Sequence, residues 1–317
     1  MSNSEFDLRK KIFVPIICGP TASGKTNLGI RLALKCGGEI VSADSMQIYK
    51  GMDIASAKPS KEEMQGVPHH LMDFLSPKQA FSVADYVEMA HKVIYDIYNR
   101  GRLPIIVGGT GLYISSLINN IKFDNTGCDY EFREEMKKLA VKQGNDALWE
   151  RLRQIDPKAA EKLHPNNQNR IIRALEVYKI SGSTITEAQE KSRLTESPYK
   201  AYYIMPDYPR EILYQRIDKR VDIMLEKGLL EEAREFFTHN DYVTAAQAIG
   251  YKELKPFIDG KEKLCECADR LKQATRNYAK RQLTWFNKEK TLNRLNMEKG
   301  LNEKAVDEIV KYFGEEK

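Results

Sequence analysis

The stretch "GPTASGKT", Gly19 to Thr26, is the feature that most constrains the fold of this chain. It matches the pattern G-x-x-x-x-G-K-[ST] and stands between the apolar run "IFVPIIC" and the helix-periodic run "TNLGIRLALKCG". A strand, a glycine-rich loop and a helix in this order surround a phosphate with backbone N–H groups and the positive end of the helix. Lys25 supplies a positive charge, and the Thr26 hydroxyl suits Mg²⁺. The alternative is a glycine-rich turn without a ligand.

The spacing of the apolar runs predicts an α/β fold. Strands are expected at "IFVPIIC", "EIVSAD" and "LPIIVGG". The helix "SVADYVEMAHKVIYDIYNRG" stands between the last two, with Ser82 as its cap and Gly101 as its stop. Strands that alternate with helices form a parallel sheet whose functional edge lies at the strand C-termini. We therefore expect a P-loop NTPase-like parallel sheet flanked by helices.

A change of pattern marks an insertion. Residues 124–197 contain charged, helix-periodic segments such as "EFREEMKKLAVKQG" and "QNRIIRALEVYKISG", with no strand candidate. Sheet signal returns at "YKAYYIMP", after which the chain is predicted to be helical, and the region from Lys288 onward carries no informative motif. We predict a catalytic core of residues 1–123 and 198–317, interrupted by an all-helical domain of residues 124–197.

The composition favours a soluble globular protein in the cytoplasm. Hydrophobic residues make up 42% and charged residues 30%, and no window approaches the ~20 apolar residues that a membrane span requires. The N-terminus has no apolar targeting region. A net charge of +5 permits a nucleic-acid partner without requiring one. The five scattered cysteines predict free thiols, and the lone pair Cys265 and Cys267 does not have zinc-site spacing.

Asp44 is the strongest candidate for a catalytic carboxylate. It ends the second predicted strand, which we expect to lie beside the strand of the phosphate loop, so that Asp44 faces the same crevice. A general base and a magnesium partner are both possible roles, and a helix cap is the structural alternative. The third strand ends in "IIVGGTG", which contains no acidic residue. An ATPase would often have a magnesium-holding aspartate at this position. Thr110 could present its hydroxyl there.

Basic and aromatic residues give weaker signals. Arg170 and Arg173 are expected to face outward on one helix, opposite a separate apolar stripe of Ile171, Leu175 and Tyr178. A second basic stripe, with a charge at every fourth residue, is more often a solvated helix face than a nucleic-acid site; it comprises Lys272, Arg276 and Lys280. Structural roles are predicted for four further residues: core packing for Trp285 and Phe286, and a structural or pocket-lining place for His69 and His70.

Seven segments, in order along most of the chain, resemble the family of bacterial tRNA dimethylallyltransferases. They are "GPTASGKT", "SADSMQIYKGMDIASAKP", "VPHHLMD", "PIIVGGTGLYI", "DPKAAEKLHPNNQNRIIRALEVYKISG", "AIGYKEL" and "TRNYAKRQLTWF". The resemblance implies transfer of a dimethylallyl group from dimethylallyl diphosphate to N6 of the adenosine just 3′ of the anticodon. The glycine-rich loop would then hold a diphosphate leaving group, with Mg²⁺ as cofactor.

The resemblance also implies roles for individual residues. Asp44 would be the general base, Thr110 would orient the amine or the departing group, and Arg216, or alternatively Arg220, would stabilise the diphosphate. The diphosphate would be bound by Gly19, Pro20, Thr21, Ala22, Ser23, Gly24, Lys25 and Thr26, with Thr26 also the metal ligand. The anticodon stem-loop of tRNA would be bound by Asp44, Ser45, Met46, Gln47, Thr110, Arg133, Gln168, Asn169, Arg170, Ile171 and Ile172. No membrane partner is expected, and a monomer is the default.

Two other enzymatic functions remain open at this point. The phosphate loop and the α/β pattern alone would also suit a P-loop kinase of small molecules. A prenyltransferase acting on free adenine nucleotides would share the donor chemistry, but the long helical insertion favours a macromolecular acceptor. A non-enzymatic RNA-binding module would leave the phosphate loop unexplained.

Overall fold

A computed structural model describes residues 11–123, 127–193, 195–238, 242, 245 and 248–316. The chain divides into two compact units. The first comprises Met1–Ile118 and Pro198–Lys317, and the second comprises Asn119–Ser197. Because the second unit lies within the sequence of the first, the polypeptide leaves the first unit once and returns to it once.

A six-stranded parallel sheet forms the centre of the first unit. Its strands are β1 (Ile12–Cys18), β2 (Gly38–Ser42), β3 (His69–His70), β4 (Leu103–Gly108), β5 (Tyr199–Asp207) and β6 (Asn293–Asn296). The order across the sheet is β3-β2-β4-β1-β5-β6, and every pairing is parallel. The predicted parallel sheet is confirmed, and four of its strands lie in the segments that the sequence predicts.

Strand β2 does not lie beside β1, so the expected adjacency of Asp44 to the strand of the phosphate loop is wrong. Strand β4 pairs with both β1 and β2 and separates them. A right-handed crossover fixes the hand of a β-α-β unit, but it leaves room for another strand to enter between its two strands. Strand β2 also ends at Ser42, so Asp44 lies just beyond the sheet.

Nine helices complete the first unit within its described residues. They are α1 (Lys25–Cys36), α2 (Lys61–Met64), α3 (Val83–Asn99), α4 (Gly111–Ile118), α10 (Arg210–Glu226), α11 (Leu229–Phe237), α12 (Tyr251–Ile258), α13 (Leu264–Phe286) and α14 (Glu303–Glu316). Helix α3 begins at the predicted cap Ser82, which forms a capping box with Asp85: the two side chains bond each other's backbone N–H groups.

Helices cover both faces of the sheet. On one face, Ile94 of α3 and Leu117 of α4 are completely buried against strand residues such as Ile16. On the other face, α1 and α14 pack on β1, with the rings of Phe13 and Phe313 5.5 Å apart. The sequence reading treated the chain beyond β5 as helical and therefore missed β6. This strand is short and largely exposed, with the sequence "NRLN", so it carries little apolar periodicity.

The second unit contains only helices in its described residues. They are α5 (Tyr130–Gln143), α6 (Asn145–Ile155), α7 (Pro157–Lys162), α8 (Gln168–Ser181) and α9 (Ile185–Arg193). Its core contains Leu148, Leu152, Ile171 and Ile172, each less than 4% exposed. Tyr178 is 40% exposed, so its predicted place on the apolar stripe of α8 is wrong. The tyrosine lies in the last turn of α8, beyond the residues that pack in this core.

Three further observations concern function classes. No helix in the described part of the chain combines the length and apolar character that crossing a membrane requires. The described residues contain no group of three or more His, Cys, Asp or Glu side chains arranged to hold a metal ion. All five cysteines lie in the described part of the chain, and no disulfide joins them.

Candidate active site

The phosphate loop connects the end of β1 to the start of α1. Gly19 and Gly24 have φ angles of 130° and 86°, and Gly24 caps the helix in the left-handed conformation that glycine adopts without strain. A side chain at Gly19 would also collide with Met205, 2.8 Å from the position of its Cβ. The first turn of α1 carries no acidic residue. Its free N–H groups and helix dipole therefore provide a site for an anion.

Lys25 points back into this loop. Its Nζ donates a hydrogen bond of 2.6 Å to the carbonyl oxygen of Pro20. Desolvation by burial, followed by repulsion from the Arg220 guanidinium, lowers the pKa of Lys25 to about 8, against an opposing attraction from Asp44. A second anion in the site would remove part of this penalty. The loop is thus organised to receive negative charge.

Two of the hydroxyl groups of this loop, those of Ser23 and Thr26, are candidates for ligand binding. The Oγ atom of Ser23 is buried and has no hydrogen-bond partner among the described residues. Thr26 lies in the first turn of α1, next to Lys25. Mg²⁺ usually retains several waters and binds substrate phosphates with few protein ligands. The donor set therefore fits a magnesium ion held by phosphate oxygens, by water and by Thr26.

Asp44 lies at the C-terminal edge of the sheet, immediately after β2. Its Oδ1 accepts hydrogen bonds from the backbone N–H groups of Met46 at 2.9 Å and Gln47 at 3.4 Å. This turn fixes the carboxylate. Asp44 and Lys25 also attract each other electrostatically, so the two side chains lie close enough to interact even though β4 separates their strands.

Thr110 joins the Asp44 turn to the end of β4. Its backbone N–H donates to Ala43 O at 3.0 Å, and its Oγ1 accepts from Ser45 N–H at 3.0 Å. A side chain at Gly108 would overlap the backbone of Ala43, so glycine is required for this close approach. The structure therefore brings together Asp44, Ser45 and Thr110.

Gln47 is held within its own loop. Its Oε1 accepts from Ser42 Oγ at 3.2 Å, and its Nε2 lies 3.3 Å from the carbonyl oxygens of both Ser56 and Ala57. The Glu232 carboxylate anchors this loop, since it accepts hydrogen bonds from the N–H groups of Asp53, Ile54 and Ala55. Any contact of the Gln47 amide with a base must replace part of this network.

Arg216 and Arg220 lie one turn apart on α10. Arg216 Nε donates to the carbonyl oxygen of Ala22 at 2.9 Å, and its guanidinium lies 4.6 Å from the centre of the Tyr208 ring. Burial lowers the pKa of Arg220, whereas the field of Asp44 raises it. Arg216 thus contacts the backbone of the phosphate loop, while Arg220 interacts electrostatically with both Lys25 and Asp44.

Helix α13 contributes two residues that the sequence reading missed. Burial raises the pKa of the Tyr278 phenol, and the nearby Thr110 side chain opposes this shift. Gln282 is 5% exposed; its Oε1 accepts from Thr21 N–H and its Nε2 donates to Gly109 O, each at 2.9 Å. Their four-residue spacing within "NYAKRQ" places both on one helix face, and both lie in one of the seven segments that carry the family resemblance.

The basic stripe of α13 is largely neutralised by α10. Lys272 pairs with Asp222 at 2.6 Å, and Arg276 pairs with Asp218 at 2.5 Å. These two residues join helices and are not simply a solvated face. The core prediction is confirmed for Phe286, which is 3% exposed, but wrong for Trp285, which is 39% exposed. The Trp285 ring covers Gly111, where it takes the space that a side chain would fill.

In the second unit, Arg133 is bound to a buried carboxylate. Glu176 has no exposed surface and accepts 2.8 Å hydrogen bonds from Arg133 Nε and Nη2, together with a 2.6 Å bond from Arg173. Burial alone would raise the pKa of Glu176, but these bonds and one from the Asp129 N–H hold it below its usual value. One carboxylate thus orders two arginines.

The first turn of α8 presents the polar part of the predicted tRNA-binding segment. Asn169 and Arg170 are exposed and Gln168 is half-buried. The side chains of Ile171 and Ile172 are buried in the core of the second unit, so their predicted contact with tRNA would be made through the backbone and stays a prediction. They support the turn that carries the polar residues.

Comparison with known proteins identifies the family. A family model described as IPP transferase matches residues 47–289. The tRNA dimethylallyltransferase of Acetivibrio thermocellus is 46% identical over 302 residues, which are 95% of this chain and 96% of that protein. The solved tRNA isopentenylpyrophosphate transferase of Bacillus halodurans has a TM-score of 0.72 at 42% identity, covering 97% of each chain.

A eukaryotic dimethylallyltransferase, solved in a study of its action on tRNA, has a TM-score of 0.78 at 31% identity and covers 90% of this chain and 74% of its own. The likeness therefore extends over both units of the chain and is seen in sequence as well as in fold. The chain belongs to the IPP transferase family.

Proposed function

We propose that the protein transfers a dimethylallyl group from dimethylallyl diphosphate to N6 of the adenosine just 3′ of the anticodon in tRNA. The observation that supports this proposal most directly is that a carboxylate fixed by its own turn, Asp44, interacts electrostatically with Lys25 of the phosphate loop. The names of the relatives support the same activity. The end of β4 reads "GGT" and has no carboxylate there, which disfavours the kinase alternative.

The donor would be bound by its diphosphate. As the bond between the allylic carbon and the diphosphate oxygen breaks, negative charge grows on the leaving group. The amides of the phosphate loop and Lys25 would stabilise this charge, with Arg216 or Arg220 contributing a further cation. Mg²⁺ on Thr26 would neutralise part of the diphosphate charge. Burial of the cradle strengthens each of these interactions.

The acceptor would be activated by Asp44. The electron pair of an adenine amino group is delocalised, so bond formation between N6 and carbon requires removal of a proton from N6. Asp44 Oδ1 is held by two backbone N–H groups, whereas Oδ2 accepts no hydrogen bond from the described residues. Oδ2 would accept the N6 proton. The Thr110 hydroxyl, fixed by Ser45 N–H, would orient the amine.

Recognition of the tRNA would be divided between the two units. The adenosine is partly stacked inside the anticodon loop and must be extruded to reach Asp44. The exposed polar residues at the start of α8 and the arginines ordered by Glu176 would contact the phosphate backbone, which positions an RNA without reading its sequence. We propose that the protein acts as a monomer in the cytoplasm, where its tRNA substrates are found.

A comparison of donors and acceptors tests the proposal. Labelled dimethylallyl diphosphate is incubated with tRNA, or with free AMP, ADP or ATP, and labelled ATP is incubated separately with candidate acceptors. We expect label to pass only from dimethylallyl diphosphate to tRNA, and digestion to nucleosides to recover N6-dimethylallyladenosine. Preferred labelling of free nucleotides would favour a prenyltransferase that acts on free adenine nucleotides. Consumption of ATP with no use of the allylic donor would favour a kinase.

A further inference from the structure

The side chain of Gln282 links two loops: the phosphate loop Gly19 to Thr26, here called the donor loop, and the turn after β4 that contains Gly109 and Thr110, here called the acceptor turn. Its two amide hydrogen bonds, to Thr21 N–H and to Gly109 O, have the same length of 2.9 Å. Thr21 belongs to the phosphate loop after β1, and Gly109 precedes Thr110 in the turn after β4. A residue of α13, far away in sequence, therefore bridges the two neighbouring loops on which donor and acceptor would be aligned.

The bridge requires a side chain that both accepts and donates a hydrogen bond. The Thr21 N–H needs an acceptor and the Gly109 carbonyl needs a donor, and glutamine provides both. A glutamate would lose the donor, and a methionine of similar length would lose both strong partners. Because the side chain is 5% exposed, water cannot readily replace either bond. A substitution that removes these bonds would therefore leave the Thr21 N–H or the Gly109 carbonyl without a partner and loosen the two loops.

Gly109 is matched to this contact. A Cβ atom added at Gly109 would overlap Nε2 of Gln282, and it would lie 3.4 Å from Gly19 O. The two loops thus approach each other closely at the glycine that Gln282 contacts. Gly109→Ala should disturb the same bridge from its opposite side. Substitutions at Gly109 and at Gln282, far apart in sequence, should therefore disturb the same bridge and can be compared.

The bridge continues toward the candidate base. From Gly109 the chain passes to Thr110, whose Oγ1 accepts from Ser45 N–H beside Asp44. Tyr278, one turn before Gln282 on α13, interacts with the Thr110 side chain. A shift of the phosphate loop on donor binding would thus act on the turn that orients the acceptor.

We propose that Gln282 is a positioning residue that sets the donor loop against the acceptor turn and couples the binding of diphosphate to the binding of tRNA. The proposal rests on the proposed function for the identity of the two substrates. Gln282 would touch neither reacting atom. Its effect would be on alignment, because displacing reactants by about 1 Å can cost on the order of 10²-fold in rate.

The test compares Gln282→Met, Gln282→Glu and Gly109→Ala with the control Gln273→Met, an exposed glutamine on the same helix. Single-turnover rates are measured at saturating dimethylallyl diphosphate and tRNA. The Kd of tRNA is measured with and without inorganic diphosphate. Thermal unfolding identifies variants that do not fold. If Gln282→Met does not fold, the more conservative Gln282→Glu variant still tests the bridge.

We expect a fall of about tenfold to a hundredfold in the saturated rate of the bridge variants, with the tRNA Kd in the absence of diphosphate within about twofold of wild type. Diphosphate should change the tRNA Kd of wild type and of Gln273→Met but not of the bridge variants, since binding free energies are coupled reciprocally. Unchanged saturated rates, or preserved coupling in folded variants, would overturn the proposal. Failure of wild type to prenylate tRNA would instead contradict the proposed function.

Discussion

Arg216 Nε donates a 2.9 Å hydrogen bond to Ala22 O and thereby fixes the backbone of the phosphate loop from outside. Arg220, one turn further along α10, instead exerts its charge on Lys25 and lowers the pKa of that amine. The two arginines therefore have different electrostatic surroundings, although either was a candidate for the diphosphate contact. Arg216 orders the phosphate loop, and Arg220 adds to the positive potential at this loop.

The arginines can be separated by their effect on Lys25. We expect Arg220→Gln to raise the pKa of Lys25 because a like charge is removed, and thus to move the pH midpoint of diphosphate binding upward. Arg216→Gln should leave this midpoint unchanged and weaken binding through disorder of the loop. The measurement is a calorimetric titration with diphosphate from pH 6 to pH 10. Equal midpoints for Arg220→Gln and wild type would refute the claim that the charge of Arg220 lowers the pKa of Lys25.

The role of Lys25 itself predicts a pH dependence. Its pKa of about 8 lies below that of a free lysine, so the side chain is charged below pH 8 and increasingly neutral above it. Diphosphate affinity should therefore fall as the pH rises through about 8, and the fall should level off once Lys25 is neutral. Lys25→Met should remove this step while weakening binding at pH 7. A step that persists in Lys25→Met would assign it to another group.

Lys25 should also influence stability with a definite sign. Because its folded pKa is lowered, the unfolded state binds more protons between about pH 8 and the ordinary lysine pKa, so this residue's contribution to stability increases with pH in that window. Below pH 8 its destabilising effect is fully present. Lys25→Met should therefore raise the Tm at pH 7 while lowering activity, as expected for a strained functional residue. The gain should shrink as the pH rises through the window.

Asp44→Asn tests the general base with little change in shape. We expect the single-turnover rate to fall by about 10²–10⁴-fold, the range of general acid–base catalysis, with the Kd of tRNA changed by less than about threefold. The amide oxygen can still accept the backbone hydrogen bonds that form the turn, so folding should be retained. Asp307→Asn, at an exposed carboxylate paired with Lys35, is the matched control. A rate within twofold of wild type would remove Asp44 as the base.

The sequence predicted the parts of the site that depend on local pattern. The phosphate loop follows from its glycine spacing between a strand and a helix, and the capped helix α3 follows from Ser82 and Asp85. Asp44 was identified from its place at a strand end. These features are encoded within short windows of sequence, where backbone conformation and the nearest side chains decide the structure.

Features that depend on tertiary packing could not be predicted in the same way. The position of β4 between β1 and β2 is decided by the packing of the whole sheet, and no local pattern records it. The Gln282 bridge joins residues 261 positions apart, and the pairing of Arg276 with Asp218 depends on how α10 packs against α13. Trp285 was assigned to the core from residue type alone, although its neighbour Phe286 takes the buried side of the helix.

The second unit offers a test of its predicted contact with nucleic acid. Arg170 is exposed in the first turn of α8, whereas Arg173 on the same helix is ion-paired to the buried Glu176. We expect Arg170→Ala to weaken tRNA binding and to reduce the slope of log K against log salt by about 1, because one phosphate contact is lost. Arg151→Ala, on helix α6 of the same unit, provides a charge-matched control.

The expected salt effect distinguishes a direct contact from a structural one. Arg170→Lys keeps the charge and should retain most of the salt slope, whereas a purely structural role would leave the slope unchanged in every variant. Glu176→Gln should instead lower the Tm, because the uncharged amide cannot reproduce the charge-assisted hydrogen bonds that Glu176 accepts from Arg133 and Arg173. If Arg170→Ala and Arg151→Ala gave the same slope as wild type, Arg170 would not contact the phosphate backbone, and the start of α8 would have to be removed from the proposed interface.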